Sequence, residues 1–140
     1  MSRRLAREYA MKIVFQIAFN DNQYNEAASR ETMEEASKQL DEKNYKYLIN
    51  TINQVTYSLG DIDDYIERFS ENWKLERLSR VDLGIMRVAI CEMLYFPDIP
   101  VRVSINEAIE LAKKYSTEDS TRYINGILDQ LGKRLNEEVR

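Results

Sequence analysis

Two glutamates in the C-terminal half of the sequence have a spacing that could support metal chemistry. Glu107 and Glu110 lie three residues apart, so on a helix both carboxylates could face one cation. The sequence contains no histidine, which removes the commonest general base and the commonest zinc ligand. Ser104 and Glu107 also match a capping box, which explains Glu107 without a metal. The sequence therefore predicts no metal site, no cofactor and no enzymatic activity, and leaves a carboxylate metalloenzyme as an alternative.

A second polar group follows at the predicted start of the last helix and consists of Asp119, Arg122, Tyr123 and Asn125. A tyrosine beside a helix N-terminus can stack on an unpaired base while an arginine and backbone amides hold a phosphate. A place in the core would explain Tyr123 equally well. Gly126 follows within the helix, where glycine costs about 1 kcal/mol relative to alanine. We therefore predict that another element packs closely against Gly126.

Basic residues at the N-terminus form a third candidate site. Residues 1–19 contain four basic residues and one acidic residue, whereas residues 20–76 contain six basic and thirteen acidic residues. Arg3, Arg4, Arg7 and Lys12 are the four cations, and they could bind phosphates through charge-assisted hydrogen bonds. Cations at a helix N-terminus oppose the macrodipole, which favours a functional reason for them over a solubilising helix start. The net charge of −4 argues against general adhesion to nucleic acid.

Three charged residues, Asp82, Arg87 and Glu92, interrupt a segment from residue 79 to residue 96 that is otherwise apolar on nearly all sides. A helix with this composition is buried, and a buried charge is costly unless it is paired. Asp82 lies in the first turn, where the helix dipole explains it. Arg87 lies in the middle, and we predict an ion pair with a carboxylate on a neighbouring helix. Cys91 is the single cysteine, and its apolar surroundings predict a buried thiol in a reducing compartment.

The elements that position these residues are predicted to be helices alone. Apolar residues recur every three or four positions, no segment alternates with period two, and only four Gly and two Pro interrupt the chain. The result is an all-α domain of about seven helices in two antiparallel bundles. One domain spans residues 1–140, with halves 1–72 and 73–140 and with Trp73 as a packing anchor at their border. The predicted helices cover residues 4–20, 32–40, 41–59, 61–69, 79–96, a segment beginning at 104, and 119–134.

Three stretches of the sequence together resemble the NusB family of bacterial transcription antitermination factors. They are "RRLAREYAMKIVFQIAF", "WKLERLSRVDLGIMRVAICEM" and "SINEAIELAKKYSTEDSTRYINGILDQL", in the order and register of that family. The resemblance implies an all-helical protein without catalytic activity. It also implies that the protein binds boxA RNA of nascent ribosomal RNA transcripts together with NusE, a small-subunit ribosomal protein. The pair would then join the RNA polymerase antitermination complex.

The resemblance also assigns roles to particular residues. The RNA contacts of the family correspond to Arg3 and Arg7 and, in the last motif, to Asp119 and Tyr123 with Asn125 nearby. We include the adjacent cations in the same surface. The NusE-facing positions of the family correspond to Phe15 and Asp82, and Arg87 is structural or interfacial. The sequence departs from the family where Phe15 replaces a common tyrosine, Tyr123 replaces phenylalanine and Ser116 replaces glycine. The adjacent cations are Arg4, Lys12 and Arg122, and the NusE-facing set is Phe15, Asp82 and Arg87.

The acidic composition predicts a binder that depends on its partner. A basic ribosomal protein docked on the acidic surface would extend the positive face, so RNA should bind more tightly with NusE than without it. Two alternatives are an RNA-positioning module of a ribosomal RNA methyltransferase, disfavoured because the chain ends at Arg140, and an adaptor that binds only protein. A homodimer of the free protein stays open. The absence of a signal peptide and of an apolar run of roughly 18 residues predicts a cytoplasmic protein without a membrane anchor.

Overall fold

The computed structural model describes residues 2–19, 26–70 and 78–139. Within these ranges the chain forms seven helices and no strand, as the all-α prediction required. The predicted end of the first helix at residue 20, the border at 72/73 and Trp73 lie outside the described residues. The helices are α1 (Arg3–Phe19), α2 (Glu26–Gln39), α3 (Glu42–Tyr57), α4 (Leu59–Phe69), α5 (Arg80–Tyr95), α6 (Val101–Tyr115) and α7 (Glu118–Val139).

Helix α5 is the element on which both groups of helices pack. One group consists of α1, α2 and α3, and the other of α4, α6 and α7; α5 contacts α1 and α3 as well as α4, α6 and α7. Every residue from Asp82 to Met93 is buried, as its composition predicts. Ser79 caps this helix by accepting a hydrogen bond from the amide of Asp82, which confirms the predicted helix start at residue 79.

Side-chain caps explain where the predicted helix boundaries hold and where they fail. Asp41 accepts a hydrogen bond from the amide of Asn44, so the predicted start of α3 is confirmed. The predicted start of the second helix at residue 32 is wrong because α2 already begins at Glu26, in a stretch rich in good helix formers. The predicted end of α3 at residue 59 is also wrong, since α3 ends at Tyr57 and Leu59 begins α4.

The start of α6 differs from its prediction in a way that matters for the site. The helix begins at Val101, directly after Pro100, and not at a capping box formed by Ser104 and Glu107. Pro100 is the N-cap residue, with a non-helical ψ of 139°, and its carbonyl accepts hydrogen bonds from the amides of Val103 and Ser104. Ser104 is therefore an interior residue of α6, and its hydroxyl is buried. Because neither side chain caps the helix, Ser104 and Glu107 can both interact with other helices.

Two glycines allow close helix packing, and neither is the glycine singled out in the sequence. A Cβ on Gly84 would lie 3.1 Å from the backbone oxygen of Met11, where α1 crosses α5. A Cβ on Gly132 would lie 3.3 Å from Val101 and 3.4 Å from Ile105 of α6. Gly126 is exposed, and no described heavy atom lies within 4 Å of a Cβ built there. The prediction of close packing at Gly126 is therefore wrong.

The single thiol lies inside the helical core. Cys91 is buried, as its apolar surroundings predict, and burial raises its pKa to about 12. A thiol with this pKa is not ionised near neutral pH and is a poor nucleophile.

Across the described residues, no helix is both long enough and apolar enough to cross a membrane.

The two kinds of glycine predict opposite effects on stability. Gly84→Val should lower the free energy of unfolding by about 1–3 kcal/mol, because the added atoms meet the backbone of α1, which cannot move aside. Gly126→Ala should raise it by up to about 1 kcal/mol, because alanine favours the helix and meets no neighbour. Urea unfolding followed by circular dichroism measures both changes. Equal effects at the two positions would contradict the packing described here.

Candidate nucleic-acid interface

A buried carboxylate organises the end of the molecule where α1 begins. Glu92 of α5 is 1% exposed. Arg7 of α1 donates to it from Nε at 2.8 Å and from Nη2 at 3.1 Å. Ser104 of α6 donates its hydroxyl at 2.8 Å, and the hydroxyl of Tyr47 of α3 also donates to this carboxylate. One carboxylate therefore joins side chains from four helices.

Arg7 is buried, whereas a direct contact with RNA, its predicted role, requires an exposed side chain. The residue is 5% exposed, and besides Glu92 its guanidinium lies 3.4 Å from Glu107. Burial lowers the pKa of Arg7, but the hydrogen bonds and charge of Glu92 outweigh this effect and the pKa rises above its ordinary value. The structure corrects the prediction of a surface contact: the side chain is enclosed because it neutralises a buried carboxylate. Glu8 is buried with Arg7, so the charged face of α1 to which both residues belong is partly covered by other helices.

The two arginines before Arg7 remain at the surface and diverge. The guanidinium of Arg3 lies 4.4 Å from the centre of the Tyr47 ring, and its Nε donates to Asn44 at 2.8 Å. Arg4 is on the other side, where its Nη2 lies 2.9 Å from Glu107 and its side chain is 61% exposed. Both contacts depend on the buried network, because Glu92 holds Tyr47 and Arg7 lies against Glu107. The network therefore positions two cations for ligands in solvent.

A groove between α1 and α6 extends from Arg4; we call it the α1–α6 groove. It encloses about 630 Å³, and its charged walls include Glu8 from α1 and two lysines, Lys113 and Lys114, from α6. Lys114 lies 2.5 Å from Glu8, and Lys113 lies 3.8 Å from Glu110. The sequence analysis missed both lysines, since cations in the last turn of a helix are already explained by its dipole.

The start of α7 carries the second predicted group. Asp119 and Arg122 form an exposed ion pair, and Asn125 is exposed. Tyr123 is half-buried against the core and shares a hydrogen bond with the hydroxyl of Ser70. Burial raises the pKa of Tyr123, so its hydroxyl stays protonated near neutral pH. Tyr123 is thus partly exposed, while its hydroxyl is already engaged.

Lys12 stands apart from the other N-terminal cations. It is exposed, and its Nζ lies 5.6 Å from the centre of the Tyr9 ring on the same helix. Arg3 and Arg4 lie about two turns nearer the start of α1. Lys12 therefore lies farther along the helix from the two diverging arginines.

The three residues predicted to face a protein partner differ in exposure. Phe15 of α1 is half-buried, beside the crossing with α5. Asp82 is buried and accepts a hydrogen bond from Ser116 at 2.6 Å. Arg87 is fully buried and pairs with Asp63 of α4 through two contacts of 2.8 Å, which confirms the predicted ion pair with a neighbouring helix. Of the three, Phe15 is the partly exposed one, whereas Asp82 and Arg87 are buried and contact neighbouring side chains.

The two glutamates considered for a metal site have other neighbours. Glu107 lies against both Arg4 and Arg7, and Glu110 lies 3.8 Å from Lys113. Over the part of the chain that the structure describes, no group of three or more metal-ligating side chains comes together. The contacts of Glu107 are therefore those of an ion-pair network.

The described part of the chain is an all-helical protein in which the other six helices pack on α5, directly or through their neighbours. Residues 4–133 match the family model described as the NusB family, and the chain therefore belongs to the NusB family. A transcription antitermination protein NusB of Natranaerobius thermophilus is 54% identical, over 98% of this chain and 99% of its own length. Another, of Alkaliphilus oremlandii, is 43% identical, over 98% of this chain and 100% of its own length.

Solved structures of NusB proteins have the same fold. T. maritima NusB superposes with a TM-score of 0.84 at 39% identity, over 95% of this chain and 92% of that one. A chain from a crystal structure of the antitermination factors NusB and NusE in complex with dsRNA superposes with a TM-score of 0.82. Its identity is 21%, over 94% of this chain and 96% of that one, so this likeness concerns the fold.

The buried network predicts a large difference between neighbouring arginines. Arg7→Ala should lower the free energy of unfolding by about 3–5 kcal/mol, because it leaves the Glu92 carboxylate buried without its cation. Arg4→Ala, the matched control on the same helix, should leave stability unchanged because its side chain is exposed. Guanidinium unfolding of the two variants measures the difference. A fully stable Arg7→Ala protein would show that Arg7 does not serve the core.

Proposed function

We propose that this protein acts in transcription antitermination by binding boxA RNA of nascent ribosomal RNA transcripts together with NusE. The pair would then enter the RNA polymerase antitermination complex. Membership of the NusB family and the names of its relatives support this proposal. The observation that carries it is the presentation of Arg3 and Arg4 at the surface by a buried ion-pair network. Arginines held in this way can bind phosphates without a large loss of side-chain entropy.

The proposed path for boxA follows the α1–α6 groove. Arg4 would contact a phosphate at one end, and the two lysines of α6 would contact the next part of the strand. The start of α7 would receive the far end, with the exposed part of the Tyr123 ring for stacking and with Arg122 and Asn125 for polar contacts. Asp119 would orient Arg122, and Lys12 would add long-range attraction. Arg7 serves in this proposal as a positioning residue that holds Glu107 behind Arg4.

The charges of the groove indicate why a partner is needed. Lys114 already faces Glu8, Lys113 faces Glu110 and Arg4 faces Glu107. RNA must compete with these carboxylates, and the chain has a net charge of −4. A basic ribosomal protein would reduce this repulsion. Phe15 is the residue that we assign to direct contact with NusE, while Asp82 and Arg87 would hold the helices that form the docking surface.

The RNA contact is tested by removing one exposed charge. Arg4→Gln should weaken binding of boxA RNA to the NusE-bound protein about tenfold. It should also reduce the slope of log affinity against log salt concentration by about 0.7, the value for one phosphate contact to a single strand. Lys38→Gln, an exposed lysine on α2, is the matched control and should bind RNA normally. Fluorescence anisotropy across a salt series measures both quantities. Arg4→Gln should also retain NusE, and unchanged RNA affinity in this variant would contradict the proposed path.

The partner requirement is tested with the unmodified chain. At one salt concentration, boxA RNA should bind much more tightly to the mixture with NusE than to the chain alone, because the mixture carries more positive charge. A scrambled RNA of equal length controls for non-specific attraction. Gel-shift titrations measure the affinities. Equal affinity with and without NusE would contradict the proposal, and binding of NusE without any RNA binding would favour an adaptor that recognises only protein.

A further inference from the structure

A second groove opens on the opposite side of Arg3, between the start of α3 and the end of α5. We call it the α3–α5 groove, and it encloses about 320 Å³. Arg3 forms part of its wall, so it adjoins the surface proposed above for boxA. Its other relevant residues combine positive charge, an amide and aromatic rings. They are Lys43, Lys46, Asn50, Tyr95 and Phe96, and the exposed Asp98 adds one carboxylate to the wall.

The two lysines of this groove differ from most other exposed lysines. Lys38, Lys113, Lys114 and Lys133 each lie within 4.0 Å of a carboxylate. Lys43 and Lys46 are exposed, and no carboxylate of the described residues forms an ion pair with either. They also lie near the N-terminus of α3, where the helix dipole disfavours cations. Their charge is therefore available to an anionic ligand.

The aromatic residues suit a ligand with flat rings. Tyr95 and Phe96 are half-exposed at the end of α5. Phe96 packs edge-on against Tyr47 with ring centres 6.1 Å apart, which fixes its orientation. An exposed aromatic ring beside cations is the combination that binds single-stranded nucleic acid, since bases stack while phosphates meet the charges. The amide of Asn50 can both donate to and accept from a base edge.

We propose that the α3–α5 groove binds single-stranded nucleotides that flank boxA in the same RNA. The inference rests on the proposed function, because Arg3 links the two grooves. Two lysines without ion pairs and two half-exposed aromatic residues favour RNA over an acidic protein segment, which would use the charges but would not need base stacking. The groove would add affinity and little sequence discrimination, because stacking and phosphate contacts tolerate every base.

The test compares two RNAs on the NusE-bound protein: boxA alone, and boxA extended by about six nucleotides on each side. The extension should raise the affinity of the unmodified protein about tenfold. The double variant Lys43→Gln/Lys46→Gln should lose this gain, and the salt slope of the extended RNA should fall by about 1.4, about 0.7 for each lost contact. The double variant should bind boxA alone with the same affinity as the unmodified protein. Tyr95→Leu should reduce the gain without changing the salt slope.

The matched control is Lys38→Gln/Lys133→Gln, which removes the same charge from α2 and α7 and should keep the full gain. An extended RNA that binds no better than boxA alone would overturn the inference but not the proposed function. Retention of the gain in the Lys43→Gln/Lys46→Gln variant would also overturn it. Loss of NusE affinity in that variant would assign the groove to a protein partner and overturn the inference. Failure of boxA itself to bind would refute both proposals together.

Discussion

One buried negative charge, the carboxylate of Glu92, constrains how the helices of this structure are arranged. A carboxylate in the interior is tolerated only when charge and hydrogen bonds replace the lost water. Here Arg7 provides the charge, and Tyr47 and Ser104 provide hydroxyl groups. Because these donors come from three different helices, they can meet at one point only when α1, α3 and α6 take particular positions against α5. Apolar contacts hold the helices together, and the polar cluster specifies how they are arranged.

The same cluster connects the core to the surface. Tyr47 donates to the buried carboxylate and also carries the guanidinium of Arg3 over its ring. Glu107 lies against Arg7 on its inner side and against Arg4 on its outer side. The exposed cations thus rest on side chains that cannot move without disturbing the interior. Rigid support of this kind lets a surface with few positive charges bind an anion more effectively than flexible lysines would.

Local sequence rules predicted the helices but not the residues that join them. The caps at Asp41 and Ser79 depend on atoms three residues away, and the sequence predicted that helices start at both residues. Family membership was predicted from three motifs, because these motifs retain the order and register of the family. Arg7 and Glu92 are 85 positions apart, and nothing in the neighbourhood of either residue indicates the other. Ser104 illustrates the same limit: its spacing to Glu107 fits a cap, yet a carboxylate of another helix binds its hydroxyl. Close packing at Gly126 was wrongly predicted, because a glycine in a helical sequence pattern does not reveal whether another element lies beside it.

The divergence of Arg3 and Arg4 has a consequence for the shape of any strand that contacts both. Successive residues of a helix project about 100° apart, so the two side chains leave α1 toward opposite grooves. A nucleic-acid strand that contacts both arginines cannot run straight and must curve around the first turn of α1. Single strands bend at little cost, whereas a stiff duplex does not follow so tight a curve. If boxA contacts both arginines as proposed, the end of α1 would select for flexible polyanions through curvature, before any base is recognised.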